Sequence, residues 1–280
     1  MLRKAKLKKL ILLSVAVLSL MIVLALSPLI CSKGDEIQFE QQLQAPSLHH
    51  LLGTDNFGRD MLQRILSGLK LSLALAVVIE GICLAIGALV GLITGYYRGL
   101  VDELFVQIVS VLMAFPGMIM ALCMIAILGP GLTPLVLAIS LTGWTTYARL
   151  IRSEVISLKE KDYIMGVRAA GASNSYILFK HIFINVLIPV IPLATLMIGH
   201  SVLMISSLSF LGFGVQPPTP EIGNILKESI TYLDSAPWLM LFPGLALATS
   251  VLLFNLLGDE LRDVLDYKRR GSGYGGEING

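Results

Sequence analysis

Apolar residues in this chain come in runs long enough to cross a bilayer, and this restricts its fold more than any other feature. About twenty apolar residues in an α-helix, at 1.5 Å each, traverse ~30 Å of hydrocarbon. Six such runs stand at 10–30, 71–96, 104–128, 132–151, 182–211 and 237–258. Each is expected to be helical, because a backbone facing lipid must satisfy its own hydrogen bonds. Composition agrees: of 280 residues, 55% are hydrophobic and only 14% charged, where soluble domains carry about 25% charged residues. The fold class expected is all-α integral membrane with six transmembrane helices.

Lysine and arginine set the orientation. With the N-terminus inside, sixteen of the 21 Lys and Arg fall on inner segments and five on outer ones. The positive-inside rule then puts both termini in the cytoplasm. An odd number of spans would leave one terminal basic cluster outside. The start (Arg3, Lys4, Lys6, Lys8, Lys9, then an apolar run from Leu10 to Ile30) resembles a signal peptide. The run is too long for an h-region and no small-x-small site follows, so it reads as an uncleaved first span. Cys31, Cys83 and Cys123 match no zinc or redox spacing. Cys83 and Cys123 read as small core residues.

Three regions result: an anchor helix and outer segment (1–66), a transmembrane core (67–262) and a disordered cytoplasmic tail (263–280), basic and then Gly-rich. In the outer segment a short helix is expected to start near Asp55 or Gly58. Tyr97 to Glu103 and Gly129 to Gly131 read as tight turns. Val215 to Ala236 is a longer outer loop, and 153–181 is the one long inner loop. There is no internal repeat and no inverted pair of broken helices of the secondary-transporter kind.

The long inner loop is the most informative stretch. Asp162 is expected to cap a helix running through Arg168. Gly171-Ala172 breaks it, and Ser173 caps a second helix. Gly166, Ala169 and Ala170 let another protein approach the backbone closely. Tyr163 and Val167, four apart, share a face that can anchor in a cleft. The competing reading is a helix–turn–helix lying on lipid.

This stretch, Tyr163-Ile-Met-Gly-Val-Arg168-Ala169-Ala170-Gly171-Ala172-Ser173 with Ile177, His181, Ile182 and Asn185, resembles the ATPase-coupling loop of ABC importer permeases. Met165, Gly166 and Val167 stand where Glu-Ala-Ala is usual, and Ile184 where Pro is usual. Further stretches are similar to dipeptide, oligopeptide and nickel permeases. They are His50 to Asp60 with Arg64 and Gly68, Phe115-Pro116-Gly117, Trp144 with Tyr147 to Arg149, Leu208 to Gly212 with Val215 to Pro218, and Phe254 to Asp259 with Leu261 to Asp263. The pattern matches the second, shorter subunit of a permease pair.

The resemblance implies a type I ABC importer permease fold in a bacterial cytoplasmic membrane, with no enzymatic activity of its own. It also implies a heterodimer with a homologous permease, two ABC ATPase subunits, an extracytoplasmic substrate-binding protein and no nucleic acid. The ATPases would dock on Asp162, Tyr163, Val167, Arg168, Ala170, Gly171, Ala172 and Ser173. ATP and magnesium would sit on those partners, which agrees with the lack of a Gly-x-x-x-x-Gly-Lys-Ser/Thr loop in this chain. An ion-coupled carrier or membrane enzyme would need a proton path or catalytic constellation, and neither is visible.

Ionisable groups inside a span are functional candidates. Glu80, His200 and Met204 are the pathway candidates, with pairing to a neighbouring span the competing reading for Glu80. His200 in Ile198-Gly199-His200 resembles the corresponding stretch of nickel permeases. With Met197 and Met204 nearby it makes nickel, or a metal chelate, the leading cargo expectation and His200 the candidate ligand. Dipeptide or oligopeptide uptake is the alternative. Asp55, Arg59 and Asp60 are candidates for docking the binding protein, against a local capped turn with Asp55 as the helix cap. His49-His50 is a weak metal signal. Gly87, Gly91 and Gly95 are expected to let another helix pack closely.

Overall fold

Several helices in this chain begin or end where proline, glycine or a capping side chain interrupts the backbone ladder. The computed structural model describes residues 2–30 and 37–273, and among them are ten α-helices and no strand. They are α1 (Leu2–Ile30), α2 (Met61–Tyr97), α3 (Leu100–Met113), α4 (Gly117–Leu128), α5 (Leu132–Lys159), α6 (Asp162–Ala169), α7 (Asn174–Tyr176), α8 (Phe183–Phe210), α9 (Ile222–Ser229) and α10 (Trp238–Gly273). A π-helical turn, Ile177–Ile182, joins α7 to α8. Cys31, Lys33 and the Gly-rich end from residue 274 lie outside the described residues.

Among the described residues four segments are long and apolar enough to cross a membrane: Lys8–Leu26, Met61–Tyr97, Asn174–Phe210 and Trp238–Asp266. The run at 104–128, expected as one helix, is instead the pair α3 and α4, bent by 84°. Pro116 explains the break. It lacks an N–H, and its ring pushes Phe115 out of the helical region. Pro116 itself is extended (φ −56°, ψ 128°) where α4 begins. Counting the bent pair as one span gives five. The 28-residue α5 has the length to cross, but Thr142, Thr145, Thr146, Arg149 and Arg152 dilute its apolar character.

Packing centres on α2 against α5. An added Cβ on Gly87 would lie 2.5 Å from Tyr147 Cβ, on Gly91 2.7 Å from the Ala148 carbonyl oxygen, and on Gly95 2.8 Å from Val155 Cβ. The glycine row therefore lets the two backbones touch, as the four-residue spacing implies. Helix α1 lies along α10, with Leu13 and Leu24 buried and Lys9 paired with Glu260. Cys83 is buried as expected, whereas Cys123 faces outward from α4.

Several boundaries differ from the sequence expectation, among them the start of α2 at Met61 rather than 71 and the helix α9 within the outer loop 215–236. Helix α5 continues to Lys159, so the loop begins at Glu160 rather than 153. Helix α10 continues to Gly273, so residues 263–273 are helical rather than disordered. The basic run Lys268, Arg269 and Arg270 costs a helix little, since Lys and Arg are good helix formers.

Candidate functional site

At one end of the bundle, α6 and α7 form a short hairpin laid across the ends of α2, α5 and α8. Its underside is apolar: Ile164, Ile177 and Ile182 are fully buried. Its outer side exposes Tyr163, Met165, Tyr176 and Phe179. A Cβ added at Gly166 or Gly171 would meet nothing within 4 Å. Four large apolar side chains and two open glycines thus face away from the chain's own core.

The local chemistry that makes the hairpin is partly as expected. Gly171 adopts φ +85°, a left-handed conformation open to glycine, and ends α6. The Ser173 hydroxyl accepts from the Tyr176 amide at 3.3 Å and caps α7. Asp162, however, is the first residue of α6 and makes no cap; Lys161 holds the cap position without a side-chain bond. An acidic residue there still favours the positive end of the helix dipole. Val167 is partly buried against the core, so it does not share the exposed face of Tyr163. Burial of Ile164 requires this: the neighbour three residues on lies on the same inner stripe. Arg168, Ala170 and Ser173 are exposed, and Ala172 is half-buried.

Sequence reasoning missed what holds the hairpin in place. Tyr96, at the last turn of α2, is buried, and its hydroxyl donates to Asn174 Oδ1 at 2.7 Å. Arg168 Nη2 donates to the same hydroxyl at 3.4 Å. Lys159 Nζ donates to the Tyr96 carbonyl oxygen at 2.5 Å, satisfying one of the open carbonyls at the end of α2. Burial lowers the pKa of Lys159, and the charges of Arg168 and Arg98 act in the same direction. The Tyr96-Tyr97 pair at the end of an apolar run was the only sequence signal.

In the bundle interior, Tyr147 OH donates to Glu80 Oε2 at 2.6 Å and Ser201 Oγ donates to Oε1. Both carboxylate oxygens are thus engaged by α5 and α8, which is the pairing reading for Glu80. His200 is exposed on α8 and Met204 is half-buried. Among the described residues no three His, Cys, Asp or Glu side chains gather as a metal site. A cavity of about 730 Å³ opens between α5, α8 and α10, lined by Arg149, Arg152, Glu154, Pro189, Pro192 and Arg262 among others.

At the opposite end, residues 37–60 fold over α2 and α9. Helix α2 starts at Met61, and Asp60 rather than Asp55 caps it, accepting from the Gln63 amide at 3.1 Å. Asp55 is buried. It accepts from Arg64 Nη1 at 2.6 Å, Arg59 Nε at 2.7 Å and the amides of Phe57 and Arg59 at 2.8 and 2.9 Å. Four donors around one carboxylate draw the chain into a tight turn before the helix. His50 lies between Asp60, at 3.0 Å, and Gln41, at 2.9 Å.

Comparison with known proteins matches this architecture. Residues 87–271 match the family described as the binding-protein-dependent transport system inner membrane component. The chain is 40% identical over 270 residues to the dipeptide transport system permease protein of Alkalihalophilus pseudofirmus, covering 96% of this chain and 89% of that one. It is also 40% identical over 230 residues to the glutathione transport system permease protein of Pectobacterium atrosepticum, covering 82% and 76%. A chain of the MetNI methionine ABC transporter, in an inward-facing form, superposes with a TM-score of 0.58 at 20% identity, covering 73% of this chain and 97% of that one. That last likeness speaks to the fold alone. The chain is thus a transport permease subunit of the ABC importer class. It belongs to the binding-protein-dependent transport system inner membrane component family.

Proposed function

We propose that this chain forms half of the membrane pathway of an ATP-driven importer of short peptides, paired with a homologous permease. The α6–α7 hairpin lies in the cytoplasm, both termini are cytoplasmic, and six spans cross the bacterial inner membrane. The observation that carries this reading is the hairpin's outer face. Tyr163, Met165, Tyr176 and Phe179 are exposed beside the open Gly166 and Gly171. Aromatic and Met side chains beside exposed backbone are what a groove on a partner accepts. The partner is an ABC ATPase, which supplies ATP and magnesium.

Short peptides are favoured over nickel by the named cargo of the dipeptide and glutathione relatives. The arrangement around His200 adds no support for a metal. Pathway contact by Glu80, His200 and Met204, and binding-protein docking near Arg59 and Asp60, are secondary parts of the proposal. Alternating access follows if ATPase closure favours one of two packings of the paired bundles.

Gly171→Asp tests the docking. A Cβ there meets no internal atom, so the fold survives with about 1–2 kcal/mol of left-handed strain. The expected result is that ATPases copurifying with the wild-type chain are lost, with membrane insertion intact. Normal copurification and uptake would sink the docking reading. Uptake of labelled dipeptide and of radioactive nickel by the same cells decides the cargo, with dipeptide expected.

A further inference from the structure

We propose that Tyr96 is a positioning residue that transmits movement of the docked hairpin to α2, the helix packed most closely on α5. The inference rests on the proposed docking of an ATPase and names the joint inside this chain. Most of what holds the hairpin is apolar, through Ile164, Ile177 and Ile182, and such contacts can slide. The Tyr96 hydroxyl is different because both halves of the hairpin reach it. Asn174, which opens α7, accepts from it at 2.7 Å, and Arg168, near the end of α6, donates to it at 3.4 Å. Gly171 lies between the two halves as their flexible corner.

The same residue is tied to α5, since Lys159 donates to its carbonyl oxygen at 2.5 Å. Lys159 Nζ and Arg168 Cζ also approach the ring, at 5.1 and 5.9 Å from its centroid. A hydrogen bond fades beyond about 3.5 Å. A displacement of about 1 Å of α6 relative to α7 therefore breaks one of the two bonds at the Tyr96 hydroxyl. The last turn of α2 follows, and the glycine row carries that movement directly into α5.

The test uses the whole transporter in proteoliposomes, with its binding protein and ATPases, measuring labelled dipeptide uptake and ATP hydrolysis together. Tyr96→Phe keeps the ring and its packing but removes the hydroxyl. Uptake per ATP hydrolysed is expected to fall about two- to tenfold, the range one hydrogen bond spans. Asn174→Ala, at an exposed site, is expected to lower the ratio too. The double variant is expected to be no worse than Tyr96→Phe alone, because both remove one interaction. Tyr97→Phe, at an exposed neighbour, is expected to keep the wild-type ratio. A wild-type ratio in Tyr96→Phe, or additive losses in the double variant, overturns the role of Tyr96 while leaving ATPase docking standing. A wild-type chain that recovers no ATPase overturns the docking reading and this one with it.

Discussion

The two ends of the bundle solve opposite problems with polar residues. At the end covered by residues 37–60, carboxylates are turned inward and saturated. Asp55 binds Arg59 and Arg64, and Arg64 bonds Glu228 at 3.0 Å. Glu221, fully buried, accepts from Ser72 at 2.9 Å, Ser206 at 2.8 Å and the Gly223 amide at 2.7 Å. At the hairpin end four large side chains are turned outward, and the polar ties converge on one residue, Tyr96. The first arrangement fixes α2, α8 and α9 in one register. The second leaves a surface to be covered and a joint that can move.

The contrast between the ends breaks if the saturated end is in fact tolerant. Asp55→Ala leaves Arg64, whose side chain is only 4% exposed, and Arg59 to share the single carboxylate of Glu228, at 3.0 and 3.7 Å. Removing one partner of a buried ion pair typically costs about 3–5 kcal/mol. The thermal unfolding midpoint of the detergent-purified subunit is expected to fall further than it does in Gly91→Leu or Arg98→Ala. An unchanged midpoint would mean that the network is not what holds this end.

A mid-bundle variant, intermediate in effect, separates packing from polar networks. Gly91→Leu would push a side chain into the Ala148 carbonyl, already 2.7 Å from the position of its Cβ. Overpacking costs about 1–3 kcal/mol where neighbours can yield, and here backbone must yield. The expected result is a lower midpoint than wild type and a proportionate loss of assembled transporter. Gly81→Leu is the control, since nothing lies within 4 Å of a Cβ there.

Much of this was legible in the sequence, for a physical reason. Apolar run length reports helices directly, and a four-residue glycine repeat reports a contact face whatever lies opposite. Gly171 and Ser173 were readable because breaking and capping are local chemistry. The bend at Pro116 was readable in principle, but the apolar run on both sides hid it. Long-range pairing was not legible. Glu221 and Glu228 lie in the segment read only as an outer loop, and only the fold brings Glu221 to Ser72 and Glu228 to Arg64. Tyr96 was missed for the same reason, since its partners lie 63 to 78 residues further along. His200 shows the converse: a local likeness to one branch of a family gave a metal reading, and among the described residues no three His, Cys, Asp or Glu side chains gather as a metal site.

The smallest effect belongs to the hairpin end, at Arg98. Its Nη2 lies 3.4 Å from Glu160 Oε1, but the two side chains are 48% and 71% exposed. Solvent-screened pairs of this kind contribute about 0–1 kcal/mol, and this one belongs near the bottom of that range. The backbone matters more. Arg98 adopts φ 53° and ψ −161°, a region that glycine populates almost alone. Arg98→Ala removes the ion pair and keeps the strain, so its midpoint is expected to match wild type. Arg98→Gly removes both, and is expected to stabilise the subunit by about 1 kcal/mol through the relieved backbone. A fall in the midpoint for both variants would show that the exposed pair carries stability after all. The hairpin end would then be held by surface charge as well as by Tyr96, and the contrast between the two ends would narrow.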